Sequence, residues 1–273
     1  MGSRTRNRHY RPNPKQKSSG NEISKRKRRT RSRSDTSWER AADWYDGWVG
    51  SRGSAYHRRI AVPTVLDLLG LRPGERVLDV GAGQGVLAPR VVSAGAHYVG
   101  VDASPRMVEL ARKRHGRAGR FLVEDARSLR DVELGGRFDA AVFLLSLQDM
   151  EPLDAVIGQA AKSLGDRGRL VVFMVHPCFR VPRQSGWGFD EERKLPVRRV
   201  DRYLTPLAVP MGRTTSFHRP LEKYIAALAR HSLLVDRLVE IPDDEAWAKK
   251  QGRTNNADIP LFLALRAVKA ASG

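Results

Sequence analysis

Between residues 76 and 175, short apolar runs alternate with amphipathic segments, and this alternation predicts a parallel sheet covered by helices. Strands that are buried on both faces read as continuous apolar runs, as these do. Regular alternation of strands and helices implies right-handed crossovers in a doubly wound α/β sheet. The predicted strands are 76–80, 97–101, 120–124, 138–144 and 170–175. The predicted helices between them are 84–94, 104–115 and 152–164.

Three helices and a pair of strands are predicted outside this region. Residues 57–69 and 219–230 carry apolar residues at helical spacing, and a further helix is expected from about Ser37. The last two strands, 233–240 and 259–268, are separated by 18 residues without a helical pattern. Such a short connection favours an antiparallel pair.

Residues 176–217 show no regular pattern and contain prolines, glycines and a basic patch. This segment is long for a connection, so we interpret it as a functional insertion over the carboxyl edge of the sheet. Within it, 199–203 and 214–217 are predicted to pair as a small antiparallel ribbon.

Charge divides the chain into a basic tail and a moderately basic body. The net charge of the 273 residues is +19, and residues 1–34 alone hold 13 Lys/Arg and one acid. We expect residues 1–35 to form a disordered basic tail and 36–273 to form one domain. The tail suits an arm for RNA, DNA or an anionic membrane, or a nuclear-type targeting signal, and a solvated tail without specific function is equally compatible.

The single cysteine, Cys178, excludes an intrachain disulfide and favours a reducing, cytoplasmic location. No apolar run is long enough for a transmembrane helix, and the basic N-terminus lacks the apolar region of a secretory signal.

A glycine-rich turn, Gly81–x–Gly83–x–Gly85, follows the first strand. The dinucleotide pattern would need its third glycine at position 86, where this chain has valine. Asp79 before the turn would repel a pyrophosphate and suit a ligand with positive charge.

Two more acids lie at the ends of the neighbouring strands. Asp102 ends the second strand, where a carboxylate can accept hydrogen bonds from both ribose hydroxyls. Asp125 follows the third strand at the same edge, where it can meet an adenine amino group. A ribose, an adenine and a cationic group without phosphate describe S-adenosylmethionine.

Five ordered motifs with consistent spacing resemble the class I S-adenosylmethionine-dependent methyltransferases, in particular the ubiquinone/menaquinone-biosynthesis type and its small-molecule relatives. They are VLDVGAGQG (77–85), VGVDASPRMVELAR (99–112), VEDARSL (123–129), FDAAVFLLSLQDM (138–150) and GDRGRLVVF (165–173). The resemblance implies a Rossmann-like seven-stranded sheet of order 3-2-1-4-5-7-6, with strand 7 antiparallel.

The resemblance also implies roles in cofactor binding. Asp79 would orient the glycine turn and the methionine ammonium, and Asp102 would bind the ribose. Both Asp102 and Asp125 could instead cap their loops, and Met107 could simply pack its helix. The implied cofactor-binding residues are Asp79, Gly81, Ala82, Gly83, Gly85, Asp102, Ala103, Met107, Asp125, Ala126, Leu145 and Ser146.

Methyl transfer needs a base only when the acceptor arrives protonated. We consider His176, His218 and Tyr45 as catalytic candidates because they lie at or near the expected active edge. A structural role is an alternative for each histidine. Gln148 and Asp149, which follow the fourth strand, are further candidates for a base. Trp187 and Tyr203 are candidates for the wall of an acceptor pocket, with packing of the insertion as the alternative for each.

Two acceptor classes stay open at this point. The first hypothesis is a small-molecule acceptor, with the insertion as lid. The alternative is an RNA methyltransferase that holds nucleic acid with its basic tail. No N-P-P-[YF] signature of base-amine methylation follows the fourth strand, and LSLQ (145–148) stands there instead, which favours the small molecule.

Overall fold

The computed structural model describes residues 38–244, 249–250 and 257–271. The basic tail and Ser37 lie outside the described residues, so the predictions made for them stay predictions. In the described part of the chain, every helix is too short or too polar to span a bilayer.

Seven strands form the central sheet. Their order is β3 (Arg120–Val123), β2 (His97–Asp102), β1 (Arg76–Val80), β4 (Phe138–Leu144), β5 (Leu164–Val175), β11 (Phe262–Lys269) and β10 (Leu233–Ile241). The first five are mutually parallel, whereas β11 runs antiparallel to both β5 and β10. This arrangement confirms the predicted order, the antiparallel final pair and the Rossmann-like fold class.

The helices cover both faces of the sheet. They are α1 (Ala42–Val49), α2 (Val62–Leu69), α3 (Ala88–Ser93), α4 (Pro105–His115), α5 (Asp131–Leu134), α6 (Leu153–Ser163) and α7 (Leu221–Arg230). A π-turn, His57–Ala61, leads into α2. Pro63 cannot donate the hydrogen bond that an α-helix would require four residues back, which explains the wider turn.

Alternate residues of the central strands enter two separate cores. In β1, Leu78 and Val80 face one core together with α6 and α7. Val77 faces the other core together with α2, α3 and α4. The strands are therefore apolar on both sides, which is why continuous runs predicted them well.

The helix after the glycine turn begins at Ala88 and not at residue 84, as predicted. Gly85 has a φ of +78°, so the chain cannot be helical there, and the turn extends to Leu87.

The predicted ribbon of 199–203 with 214–217 is wrong. The insertion instead forms two local hairpins, β6 (Ser185–Asp190) with β7 (Leu195–Val200), and β8 (Leu207–Met211) with β9 (Thr214–His218). The second hairpin closes through the two residues Gly212 and Arg213, and Gly212 has a φ of +66°. A glycine in the first position of a two-residue loop is a local hairpin signal, and local pairing has a lower loop-closure cost than pairing across the insertion.

Candidate functional site

The glycine turn lies at the carboxyl ends of β1 and β2. The N–H groups of Gly81 and Ala82 donate to the carbonyl of Val101, at 2.8 and 3.0 Å. A Cβ at Gly81, where φ is +74°, would lie 2.6 Å from Ser146 Cβ, so the turn packs tightly against the segment after β4. At Gly83 (φ +53°) a Cβ would meet nothing within 4 Å. The turn therefore presents bare backbone to an open crevice at Gly83.

Asp102 joins this turn to the start of α4. Its Oδ2 accepts from the Gly83 N–H at 2.9 Å, and its Oδ1 accepts from the Ser104 N–H at 2.9 Å. Burial raises the pKa of Asp102, and these two backbone donors oppose that rise. Each carboxylate oxygen keeps a further lone pair, so the bonds that position Asp102 leave it able to accept from ribose hydroxyls.

Asp79 is buried, with 2% of its surface exposed. Its Oδ2 accepts from the Tyr98 hydroxyl at 2.7 Å, and its Oδ1 is buried without a hydrogen-bond partner among the described residues. Burial raises the pKa of Asp79 to about 7, although the Tyr98 hydrogen bond lowers it. Because this carboxyl group is only partly ionised at neutral pH, it repels an anion less than an exposed aspartate would. Its buried oxygen without a partner fits a cationic group.

Asp125 adopts the loop-capping role that sequence reasoning left as the alternative. Its Oδ1 accepts from the backbone N–H of Arg127 at 2.9 Å, and its carboxylate forms an ion pair with the Arg127 side chain at 2.5 Å. The neighbouring Ala126 belongs to the core beneath the sheet edge. A contact with adenine stays a prediction for both residues.

The remaining predicted cofactor residues lie around the same crevice. Ser104 caps α4 by accepting from the Met107 N–H at 3.1 Å, and Met107 is buried, while Ala103 lies between Asp102 and this cap. Leu145 adopts a φ of +56°, which few non-glycine residues do. Ser146 donates its hydroxyl to the carbonyl of Val80 at 2.7 Å and thereby ties the end of β4 to the end of β1.

An acidic stripe on and before α1 holds this helix against α4. Glu39 accepts from the Ser104 hydroxyl at 2.5 Å, and Asp43 pairs with Arg106 at 2.8 Å. Asp46 pairs with Arg114, which also donates to Gln84 in the glycine turn. We call these contacts the α1 clasp.

The α1 clasp fixes the position of α1, and α1 forms one wall of the site. Sequence reasoning missed Gln84 and the clasp acids, although the acids at positions 39, 43 and 46 follow a helical spacing and the last two lie within α1. That spacing was the available signal.

Beside the crevice lies a cavity of about 890 Å³, bounded by α1, the turn after β4, the two hairpins and α7. It is lined by Trp38, Trp44, Tyr45, Trp48, Gln148, Asp149, Val175, Pro177, Arg180, Val181, Pro182, Arg183, Ser185, Arg198, Met211, Gly212, Arg213, Thr214, Ser216, Phe217, His218, Arg219 and Tyr224. Gln148 and Asp149 of this lining follow shortly after Ser146, which packs against Gly81 of the glycine turn. The cavity therefore opens next to the place where the glycine turn would present a cofactor.

Asp149 is the one carboxylate in the described wall of this cavity. The side chains of Ser216 and Trp38 hydrogen-bond to it, but burial outweighs these bonds and raises its pKa to about 7. A carboxyl group whose pKa is near 7 is suited to accept a proton at neutral pH.

The three residues considered as catalytic differ in their surroundings. His176 does not line the cavity, and both of its ring nitrogens are engaged: Nδ1 accepts from the Cys178 N–H at 3.2 Å, and Nε2 donates to Glu240 at 2.9 Å. This geometry favours the structural alternative for His176.

His218 and Tyr45 do line the cavity. Nε2 of His218 donates to the carbonyl of Tyr203 at 2.7 Å, which leaves Nδ1 as the basic nitrogen of the neutral ring. Burial raises the pKa of Tyr45 well above 10, so its hydroxyl stays protonated and can donate a hydrogen bond.

Trp187 and Tyr203 do not contribute to the cavity wall, contrary to expectation. The Tyr203 hydroxyl accepts from the Leu221 N–H at 3.0 Å and from Cys178 Sγ at 3.3 Å, so it fixes the start of α7. Trp187 lies behind two arginines of the wall, with its ring centroid 5.7 Å from the guanidinium carbon of Arg180 and 5.5 Å from that of Arg198.

Comparison with known proteins agrees with this geometry. The "Methyltransferase domain" family model matches residues 77–168. A demethylmenaquinone methyltransferase of Beutenbergia cavernae is 31% identical over 160 residues, which cover 59% of this chain and 62% of the relative. A ubiquinone biosynthesis O-methyltransferase of Xylella fastidiosa is 25% identical over 226 residues, or 81% of this chain and 87% of the relative.

A solved S-adenosylmethionine-dependent methyltransferase of Mesorhizobium loti has the same fold, with a TM-score of 0.67 and 23% identity over 81% of this chain and 100% of that protein. The sheet order, the insertion and this likeness define a class I, Rossmann-like methyltransferase fold. The matched domain and the relatives show that the chain is similar to class I S-adenosylmethionine-dependent methyltransferases. The chain matches about three fifths of the length of the Beutenbergia relative.

S-adenosylmethionine is the cofactor of class I methyltransferases, and the crevice of this chain fits it. Gly83 leaves space for the ligand beside its backbone. The oxygens of Asp102 can accept hydrogen bonds from hydroxyl groups. The buried Oδ1 of Asp79, which has no partner among the described residues, can pair with an ammonium group.

Proposed function

We propose that this protein transfers the methyl group of S-adenosylmethionine to a small-molecule acceptor bound in the cavity. The carrying observation is that the segment after β4 belongs to both places: Ser146 packs against Gly81 of the glycine turn, and Gln148 and Asp149 line the cavity. A donor held by the glycine turn and an acceptor held near Asp149 would therefore meet at this segment. The relatives named for quinone biosynthesis support a small molecule over a macromolecule.

In the proposed cofactor site, Asp102 binds the ribose hydroxyls and Asp79 pairs with the methionine ammonium. The bound cofactor supplies a methyl group on a positively charged sulfur. Ala103, Met107, Asp125 and Ala126 would surround the adenine, and Leu145 and Ser146 would lie beside the methionine portion. The backbone at Gly83 allows the close approach.

The protein's contribution to the chemistry is orientation, exclusion of water and proton removal. Trp38, Tyr45 and Trp48 form one wall of the cavity, and Phe217 and Tyr224 belong to another. Asp149 accepts the proton that an acceptor hydroxyl or amine loses as its lone pair attacks the methyl carbon. The Tyr45 hydroxyl, which keeps its proton, can hold the acceptor by donating a hydrogen bond.

A transfer assay with methyl-labelled cofactor tests this proposal. The full chain is incubated with labelled S-adenosylmethionine and a cell extract separated into small-molecule, protein and RNA fractions. We expect label in the small-molecule fraction and none above background with Asp102→Ala. Label confined to RNA would refute the small-molecule acceptor, and absence of transfer despite measured cofactor binding would refute catalysis.

The RNA alternative has no support from the described residues. It rests on the tail, which lies outside them.

A further inference from the structure

The cavity wall has a larger excess of positive charge than the body of the protein. Five arginines line the cavity, Arg180, Arg183, Arg198, Arg213 and Arg219, against a single carboxylate among its described lining residues. Residues 35–273 as a whole carry 36 Lys/Arg and 29 Asp/Glu. Arg219 pairs with Glu151, which does not line the cavity, and the described lining is still more cationic than the moderately basic body.

Arg198 is the clearest sign that this charge serves a ligand. Its Nε donates to the carbonyl of Phe179 and its Nη2 to the hydroxyl of Ser185, both at 2.9 Å. Both acceptors are neutral, and no carboxylate within the described ranges pairs with it. Burial lowers the pKa of Arg198, as expected for a charge that is partly removed from water without a counter-ion.

Trp187 fixes the place of this charge. The guanidinium groups of Arg180 and Arg198 both lie against its ring, and both residues line the cavity. Cation–π contact holds a guanidinium in position while its N–H groups stay able to donate. The arrangement suits a carboxylate, which matches the planar fork of arginine donors.

The rest of the wall favours a flat ring. Trp38, Trp44, Tyr45, Trp48, Phe217 and Tyr224 line the same cavity, and Trp38 meets Tyr45 edge to face with 5.0 Å between ring centroids. Aromatic side chains pack well against aromatic ligands.

We propose that the methyl acceptor is a planar aromatic compound that carries a carboxylate, which Arg198 binds. The inference rests on the proposed function, because it names the substrate class of the same site. The carboxylate orients the ring, and the group to be methylated points towards Asp149 and Tyr45.

Calorimetry with a matched pair of probes tests the inference. The full chain is first titrated with S-adenosylhomocysteine, and the complex is then titrated with 6-hydroxy-2-naphthoate and, separately, with its neutral methyl ester. We expect the acid to bind at least tenfold more tightly than the ester, and Arg198→Gln to remove this difference while the affinity for the ester stays unchanged. The unchanged ester affinity shows that the cavity of the variant is intact.

Arg199→Gln is the matched control. Arg199 neighbours Arg198 on β7, is exposed and does not line the cavity, so its loss should preserve the preference for the acid. Equal affinities for acid and ester, or no binding of either probe to the complex, would overturn the inference while the proposed function stands. Failure of S-adenosylhomocysteine to bind would instead overturn the proposed function.

Discussion

Replacement of Asp149 by asparagine separates two effects of one buried carboxyl group. The pKa of Asp149 is raised from 3.8 to about 7, so the ionised fraction grows from about 9% at pH 6 to about 91% at pH 8. If Asp149 is the base, methyl transfer by the unmodified protein rises about tenfold between these pH values. An asparagine side chain cannot take up a proton, so the Asp149→Asn variant should be slower by about 100-fold or more at pH 8, with a flat profile.

The same substitution should stabilise the fold. A carboxyl group whose pKa is raised on folding favours the native state only while it is protonated. Stability from Asp149 is therefore present below about pH 4 and is lost as the pH rises towards about 7. The full shift corresponds to at most about 4 kcal/mol at pH 8. Asparagine keeps the shape and the acceptor oxygen but removes this cost.

Single-turnover transfer from pH 5.5 to 8.5 and urea unfolding at pH 5 and pH 8 measure both effects. Asp201→Asn, at an exposed position in the insertion, is the matched control and should change neither. A variant with normal rate and normal pH profile would show that Asp149 is not the base. A variant that is destabilised at pH 8 would contradict the buried-charge argument itself.

Three further substitutions address the cofactor site and the histidine candidate. Asp102→Ala should weaken S-adenosylhomocysteine binding at least tenfold, about 1.4 kcal/mol, and unchanged calorimetric affinity would exclude Asp102 from the site. Gly81→Ala should abolish cofactor binding and lower the thermal midpoint of unfolding, because the φ of +74° and the contact with Ser146 leave no room for a methyl group. Normal cofactor binding by this variant would mean that the turn can rearrange. His176→Asn should destabilise the protein by about 1 kcal/mol in urea unfolding while the transfer rate changes less than twofold, and a large loss of rate in a folded variant would restore His176 as a base.

The central sheet was predictable because each of its strands meets a core on both faces, so the signal was a run of apolar residues. The first half of β5, 164–169, escaped prediction because it is held by backbone pairing and reads LGDRGR. The hairpins of the insertion contribute no residue to either core cluster, so their alternation is weak and did not predict them.

The prediction of site residues also depended on whether a local sequence pattern marks the residue. Asp102 lies within a motif at the end of β2, and that motif was enough to find it. Gln84 and Asp149 depend on contacts with Gly50, Arg114, Trp38 and Ser216, which are distant in the chain. Only the fold brings these groups together, so the sequence named Asp149 among several candidates without setting it apart, and it missed Gln84.

The two halves of the site come from different parts of the chain. The crevice is built from one stretch between β1 and the turn after β4, whereas the cavity wall comes largely from 38–48 before it and 175–224 after it. The family model ends at residue 168, before the second wall begins. In the proposed site, the acceptor wall can therefore be exchanged with the hairpins β6–β9 without replacing any residue of the crevice that would hold the methyl donor.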